Sequence, residues 1–417
     1  MREFTENPEV LKLLEEIKVK GVDKKVYSDI FDDSGSQYAD LVQEGGGVLG
    51  IALAGYIFIL EKAGIRFFSI AGTSAGAISA MLTASLVPIG EPVSLMMLKI
   101  LSEKDLSEFA DGHPSLNRLI RRYIEGRSFF GFFFLLNFFR IVRTLRRHCG
   151  INPGEDFENW FTARLKEAGI VTLSDLNRLR ERVPLLYDRS ENNRPILRKA
   201  GLKIITSDIT TKSKVVFPDM ASLYWPDPEL VNPAVFVRAS MSVPFFFYPF
   251  VVKNIPGAGE YEDPNLPKEK TKWRKYAGYY GKIPPKVSFV DGGMLSNFPV
   301  NAFHLKRGIP KKPTFGVRLS TWRDSYTHIR GAGSMTGAMI GTMKQLHDYD
   351  FLLKNPDYNK LICLIEADRD FNWLDFNMSL NSQVKLFTAG AKKAVSFLEG
   401  FDWHGYKEIR RKRDLDN

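Results

Sequence analysis

Between residues 38 and 86 the chain twice runs from a short apolar segment, through glycines, into a helical pattern, and few folds accommodate that rhythm. The apolar residues 38–42 meet Gly45-Gly46-Gly47, and residues 50–62 (GIALAGYIFILEK) then have helical periodicity, with Gly64 as a C-terminal stop. A β-like segment follows at 66–71, a sharp turn at 72–76, and a helix of small and apolar residues at 77–86, ended by Pro88. Strand, glycine turn and helix in alternation predict an α/β fold, a parallel sheet with helices on both faces. Further β-like segments lie at 202–207, 214–217, 287–290 and 314–319, and residues 382–399 read as a closing helix.

The 417 residues suit one domain with a large insertion, because no repeat and no linker divides them. Residues 1–35 read as a charged helical arm ending in an Asp/Ser/Gly loop, residues 36–400 as the main domain, and residues 401–417 as a basic tail. The insertion, at about 90–200, is helical and rich in arginine and aromatic residues, and residues 254–286 read as a long surface loop. With 44% apolar and 25% charged residues, a disordered or fibrous chain is excluded. Two cysteines, Cys149 and Cys363, exclude a disulfide scaffold or a cysteine-rich zinc site. Residues 1–25 contain no apolar h-region, so a cytoplasmic location is expected.

Gly72-Thr73-Ser74-Ala75-Gly76 fits G-x-S-x-G. The chemistry wants a serine on a tight strand-to-helix turn, which exposes the hydroxyl, with Gly72 and Gly76 permitting close approach of neighbouring backbone. At Gly45, Gly46 and Gly47, successive N–H groups can converge on a developing oxyanion, where side chains would obstruct them. Gly45, Gly47 and Gly50 also fit the dinucleotide pattern G-x-G-x-x-G. That reading wants an acid about 20 residues on, and the second strand ends in the serine turn instead. Asp291-Gly292-Gly293 follows the strand at 287–290, placing a carboxylate where open α/β sheets put their active sites; a plain turn aspartate is the alternative. None of the six histidines lies in a recognisable motif, and His304 falls in an apparent helix at 299–307. Asp291 is therefore the better-placed base for Ser74, with Asp208 its rival and a Ser-His-Asp esterase the alternative.

Gly45-Gly46-Gly47-Val48-Leu49-Gly50, Gly72-Thr73-Ser74-Ala75-Gly76 and Asp291-Gly292-Gly293 together resemble the three signature blocks of patatin-like phospholipases. Ala239-Ser240-Met241-Ser242-Val243-Pro244-Phe245-Phe246, Ile205-Thr206-Ser207-Asp208-Ile209 and Asn297-Phe298-Pro299-Val300 are similar to further family stretches. The resemblance implies a three-layer α/β/α fold with a mostly parallel central sheet, and hydrolysis of lipid acyl esters by a serine–aspartate dyad without calcium or another cofactor. Ser74 would be the nucleophile, Asp291 the base, and Gly45, Gly46 and Gly47 the oxyanion hole. Leu49 stands where many members carry Arg or Lys, and residues 90–200 match no signature. Bacterial members include virulence and defence effectors, so a regulated membrane-degrading role is also implied.

A surplus of 58 basic over 48 acidic residues favours a polyanionic partner. Residues 129–139 read FFGFFFLLNFF and, extended as a helix to Val142, would reach about 21 Å, short of the ~30 Å hydrocarbon core. Arg118, Arg121, Arg122, Arg127, Arg140, Arg143, Arg146 and Arg147 flank the run, a pattern suited to in-plane contact with anionic headgroups. Phe132, Phe133 and Phe134 are the expected membrane contacts, with Trp273 in a second cluster of Lys, Arg and aromatic residues at 268–286. Burial of the run against the core is the alternative. Nucleic acid would use the same charge, but no zinc-finger or RRM signature supports it. The expected partner is membrane phospholipid, at the inner face of the cell membrane.

Overall fold

The computed structural model describes residues 1–124, 130–196, 199–263, 265, 271–321, 326–329 and 331–415, without the side chains of 120, 121, 123, 124, 130–136, 332, 333, 336, 337, 340 and 344–347. Eight strands matter here: β1 (Gln37–Gln43), β2 (Ile65–Thr73), β3 (Leu202–Asp208), β4 (Ser213–Phe217), β5 (Phe250–Lys253), β6 (Lys286–Asp291), β7 (Thr314–Arg318) and β8 (Ile362–Leu364). The helices are α1 (Pro8–Val19), α2 (Ile51–Lys62), α3 (Ala75–Ser85), α4 (Pro114–Ile124), α5 (Phe130–His148), α6 (Glu155–Glu167), α7 (Ala234–Ser240), α8 (Ala332–Lys354), α9 (Leu380–Gly400) and α10 (Trp403–Leu415).

The mostly parallel central sheet is built on β8-β7-β1-β2-β3, which all run one way. Antiparallel strands extend it: β4 and β6 pair with β3, and β5 pairs with β6. Helices on its two faces complete the three-layer α/β/α fold. The residues from Ile51 to Glu61 in α2 are all buried, which explains why that helix is apolar all round rather than on one stripe. It meets α9 backbone to backbone: a methyl added at Gly55 would lie 2.0 Å from the Phe387 carbonyl oxygen, and one at Gly390 would lie 1.9 Å from that of Ala52.

The expected strands and main helices all appear, within a few residues of their predicted ends. Three segments differ. The N-terminal arm packs into the domain: Phe4 meets Phe387 edge-on at 5.6 Å, and Val10, Leu13 and Ile17 of α1 are buried. Residues Ile30–Asp32 of that arm join the sheet as a short antiparallel strand. The basic tail is α10, which buries Trp403, Tyr406 and Arg410 on one face. Its charges serve internal pairs, Lys407 with Asp29 at 2.8 Å and Arg410 with Asp357 at 3.4 Å. Residues 299–307 form turns, not a helix, and the carbonyl oxygens of Ala302 and Leu305 accept instead from the Lys203 and Arg410 side chains, at 2.6 Å each.

Candidate active site

Ser74 sits where β2 turns into α3, with φ 53° and ψ −117°. A non-glycine residue holds such a backbone only when its surroundings over-determine it. Here they do. A methyl at Gly72 would lie 2.1 Å from the Gly76 carbonyl oxygen, and one at Gly76 would lie 2.4 Å from that of Gln43, so only glycine fits on either side. The Ser74 N–H donates to Ser240 Oγ at 2.9 Å, and the Ser240 hydroxyl donates to the Ile205 carbonyl oxygen at 2.5 Å. The amides of Ala77 and Ile78 close the first turn of α3 onto the Ser74 carbonyl oxygen.

Strand β3 is the ruler that brings the second residue in. Thr73 pairs with Ile205 across β2–β3, and Asp291 pairs with Thr206 across β6–β3. The last residue before the serine and the carboxylate therefore flank successive positions of one strand. Asp291 Oδ1 accepts the Gly293 N–H at 2.7 Å, and the Asp291 N–H donates to the Ser242 carbonyl oxygen at 2.8 Å. A methyl at Gly292 would lie 2.1 Å from the Ile205 carbonyl oxygen, which fixes the need for glycine there.

The glycine loop leaves β1 through Glu44, whose buried carboxylate accepts the N–H groups of Leu319 and Ser320 at 2.7 and 2.9 Å and pairs with Arg318 at 3.4 Å. Of the three glycines expected to donate to an oxyanion, Gly45 is already committed: its N–H donates to the Asn297 carbonyl oxygen at 3.0 Å. Its smallness serves spacing, since a methyl there would lie 2.6 Å from Asn297 Oδ1 and 3.1 Å from Ser74 Cβ. Among the described residues, the N–H groups of Gly46 and Gly47 have no hydrogen-bond partner, and Ala75 offers a third free N–H at the start of α3. Gly47 holds φ +55°, and the next amide, Val48, donates to the Trp373 carbonyl oxygen at 3.1 Å.

Ser74 faces two pockets. One, the more polar of the two, is lined by Gly45, Gly46, Gly47, Asp291, Asn297 and Asp368 among others. The other is apolar and runs between α3, the glycine loop and the helical insertion, past Ile78, Phe109, Phe157, Trp160 and Phe247. Trp373 lines both. Neither Trp373 nor the insertion residues carried a sequence signal, because their approach to Ser74 depends on contacts remote in the chain.

The rival groups lie elsewhere. Asp208 caps Thr210 and Thr211 and accepts from the Tyr224 hydroxyl at 3.3 Å, with its carboxyl raised by burial. His304 Nδ1 bonds the Tyr358 hydroxyl at 2.8 Å, His113 bonds Ser115, and His148 stacks on Tyr248. No described histidine side chain lines either pocket, and that of His347 lies outside the described side chains.

Of the four expected membrane contacts, Trp273 changes, and the three phenylalanines lie outside the described side chains. Trp273 is buried, its ring edge-on to Tyr224 at 5.4 Å and to Tyr279 at 5.8 Å, so it belongs to the core under the loop. The apolar ring found a partner from a distant segment, which composition could not reveal. Phe132, Phe133 and Phe134 lie in α5, but their side chains are outside those described.

The family model described as patatin-like phospholipase matches residues 41–304. An uncharacterised protein of Bacillus subtilis (strain 168), YqhO, is 30% identical over 364 residues, covering 87% of this chain and 98% of its own. Among solved structures, VipD from Legionella pneumophila aligns over 90% of this chain and 70% of its own, at 15% identity and a TM-score of 0.44. The ExoU–SpcU complex of Pseudomonas aeruginosa aligns over 89% of this chain and 52% of its own, at 15% identity and a TM-score of 0.32.

Proposed function

This chain belongs to the patatin-like phospholipase family and is a lipid-ester hydrolase, and from that premise we propose that Ser74 and Asp291 form its catalytic dyad. The carrying observation is that the strained serine and the carboxylate line one pocket, together with two uncommitted glycine amides. In this reading Asp291 accepts the Ser74 hydroxyl proton as Ser74 Oγ attacks the ester carbonyl carbon. The oxyanion that forms is held by the N–H groups of Gly46, Gly47 and Ala75, aided by the positive end of α3. Collapse of this intermediate expels the alcohol, which takes the proton from Asp291. Water then attacks the acyl-serine, giving one proton to Asp291. Collapse of this second intermediate breaks the bond to Ser74 Oγ, which takes that proton back from Asp291 as the fatty acid leaves.

The reaction is proposed to take place at an anionic membrane surface, on the cytoplasmic side. No described helix is long and apolar enough to cross a membrane, so contact would be in-plane. Helix α5 supports it: Phe138 and Phe139 are exposed beside Arg140, Arg143, Arg146 and Arg147. Mass spectrometry of lipid products from phospholipid vesicles tests the activity. The intact protein should release fatty acid and lysolipid, and Ser74→Ala should release neither. Equal release by Ser74→Ala would remove this serine from the chemistry.

A further inference from the structure

We propose that the apolar pocket beside Ser74 holds the acyl chain of the scissile ester, and that Phe109, Phe157 and Trp160 of the helical insertion gauge its length. The proposal rests on the reading of Ser74 as the nucleophile.

The pocket begins at Ser74 and Ala75 and continues past Ile78 and Ser79, so it follows one face of α3 inward from the reacting atom. Its polar inventory is short. Among the described lining residues the polar side-chain groups are the hydroxyls of Ser74 and Ser79, the latter donating to Gln43 Oε1 at 2.6 Å, and the indole N–H groups of Trp160 and Trp373. An occupant therefore meets the reacting hydroxyl and the free amides of Gly47 and Ala75 at one end, and beyond them a wall of mostly hydrocarbon and aromatic side chains. A sugar or headgroup would forfeit its hydrogen bonds to water there, whereas a hydrocarbon chain has none to forfeit. The alcohol part of the substrate falls to the polar side, among Asn297, Ser320 and Asp368.

The wall supplied by the insertion is aromatic and backed. Phe109 stands edge-on to Phe157 at 5.1 Å and lies 5.1 Å from Trp160, and Phe157 stacks on Phe161 at 5.6 Å. Phe109 and Phe157 are buried while Trp160 is half-buried, so the wall cannot retreat without unpacking the insertion. Each methylene that enters should raise kcat/KM by roughly fourfold, the transfer free energy of one CH2, until the chain meets these rings. Beyond that length the gain stops.

Two measurements on the full chain test this. Wild-type hydrolysis of p-nitrophenyl esters from butyryl to palmitoyl reads the length at which kcat/KM stops rising. Binding of the matching free fatty acids to Ser74→Ala, by titration calorimetry, reads the same limit without catalysis. Trp160→Ala should move the limit to longer chains and Leu106→Phe, on the same wall, to shorter ones, each changing the long-to-short ratio at least about tenfold. A limit that stays put in both variants while they melt cooperatively, or a profile without a limit, overturns the proposal. If wild type hydrolyses no ester while fatty acids bind with the expected limit and shifts, the pocket stands and the nucleophile reading falls. Absence of any fatty-acid binding overturns the pocket even where esters are cleaved.

Discussion

The backbone N–H of Ser74 donates to the side chain of Ser240 at 2.9 Å, so the strained turn is tied to α7 rather than only to its own strand and helix. Ser240 in turn donates to β3 at Ile205, which makes one hydroxyl the joint between nucleophile, helix and sheet. Ser240→Ala leaves a buried amide and a buried carbonyl without partners, a cost of about 1–3 kcal/mol. We expect a lower melting temperature together with a kcat reduced roughly tenfold or more as the turn relaxes. Normal kcat in a less stable variant would make Ser240 purely structural.

For the dyad, Ser74→Ala and Asp291→Asn should each remove ester hydrolysis in a soluble-substrate assay. His304→Ala should instead lower stability, since the ring bonds Tyr358 and packs on Phe351, while kcat is kept. The same holds for kcat of the other five single histidine variants. A folded histidine variant as inactive as Ser74→Ala would replace the dyad with a triad.

Gly46 and Gly47 should part company on substitution. A methyl at Gly46 meets only the Leu319 side chain, 2.7 Å away, which can turn aside; one at Gly47 lies 2.2 Å from the Trp373 carbonyl oxygen on a backbone of φ +55°. Gly46→Ala should therefore fold and lose about a hundred- to a thousandfold in kcat if its N–H is an oxyanion donor. Gly47→Ala should show its loss first in the melting curve. Near-normal turnover in Gly46→Ala would reduce the loop to a turn.

Asp348 of α8 predicts a pH dependence of stability. Its carboxylate accepts the Ser296 hydroxyl and the Phe298 N–H, both at 2.7 Å, in the loop that follows Asp291. Burial, with a smaller push from Glu44, raises this carboxyl from 3.8 to about 7, against its two hydrogen bonds and Lys214. Between about pH 4 and 7 the unfolded chain gives up the proton that the native state keeps, so stability from this group falls as pH rises. Below and above that window the slope vanishes. Asp348→Asn should flatten the slope, read as melting temperature against pH, and loosen the loop by losing one of two acceptors. An unchanged slope would assign the dependence to other groups.

For the membrane, replacing Phe138 and Phe139 with Ser should weaken flotation with anionic vesicles and slow hydrolysis of bilayer lipid. Raising salt should weaken flotation further, because the arginines of α5 act through screened charge. Vesicle binding that ignores both changes would place the docking surface elsewhere.

The glycines around Ser74 and Asp291 were legible in the sequence because their need is local to the turn: a methyl at Gly72 meets backbone four residues on, and one at Gly76 or Gly292 meets backbone of a neighbouring strand. The strands were legible for a similar reason, being apolar runs closed by turns. Gly45's exchange of hydrogen bonds with Asn297 was not, since the two lie far apart in the chain and nothing in their spacing distinguishes a donor to an oxyanion from a donor to a neighbour. Trp273 and α10 misled for one shared reason. An aromatic or basic residue in a polar stretch reads as surface until its partner, Tyr224 or Asp29, is brought to it by the fold.

The crossing of α2 and α9 at Gly55 and Gly390 has a consequence for trimming the protein. Helix α2 is the segment that the glycine loop runs into, and its backbone rests directly on a helix that lies beyond residue 304, where the family match stops. Strand β7, which also lies beyond it, pairs with β1 along Asp40–Gln43, up to the start of that loop. A fragment ending at 304 would keep Ser74, Asp291 and every glycine of the site, and yet leave β1 with a raw edge and α2 with an uncovered apolar flank. Such a fragment should be recovered as aggregate, and coexpression with residues 305–417 should restore a soluble pair, as in a split protein whose smaller half carries no chemistry of its own.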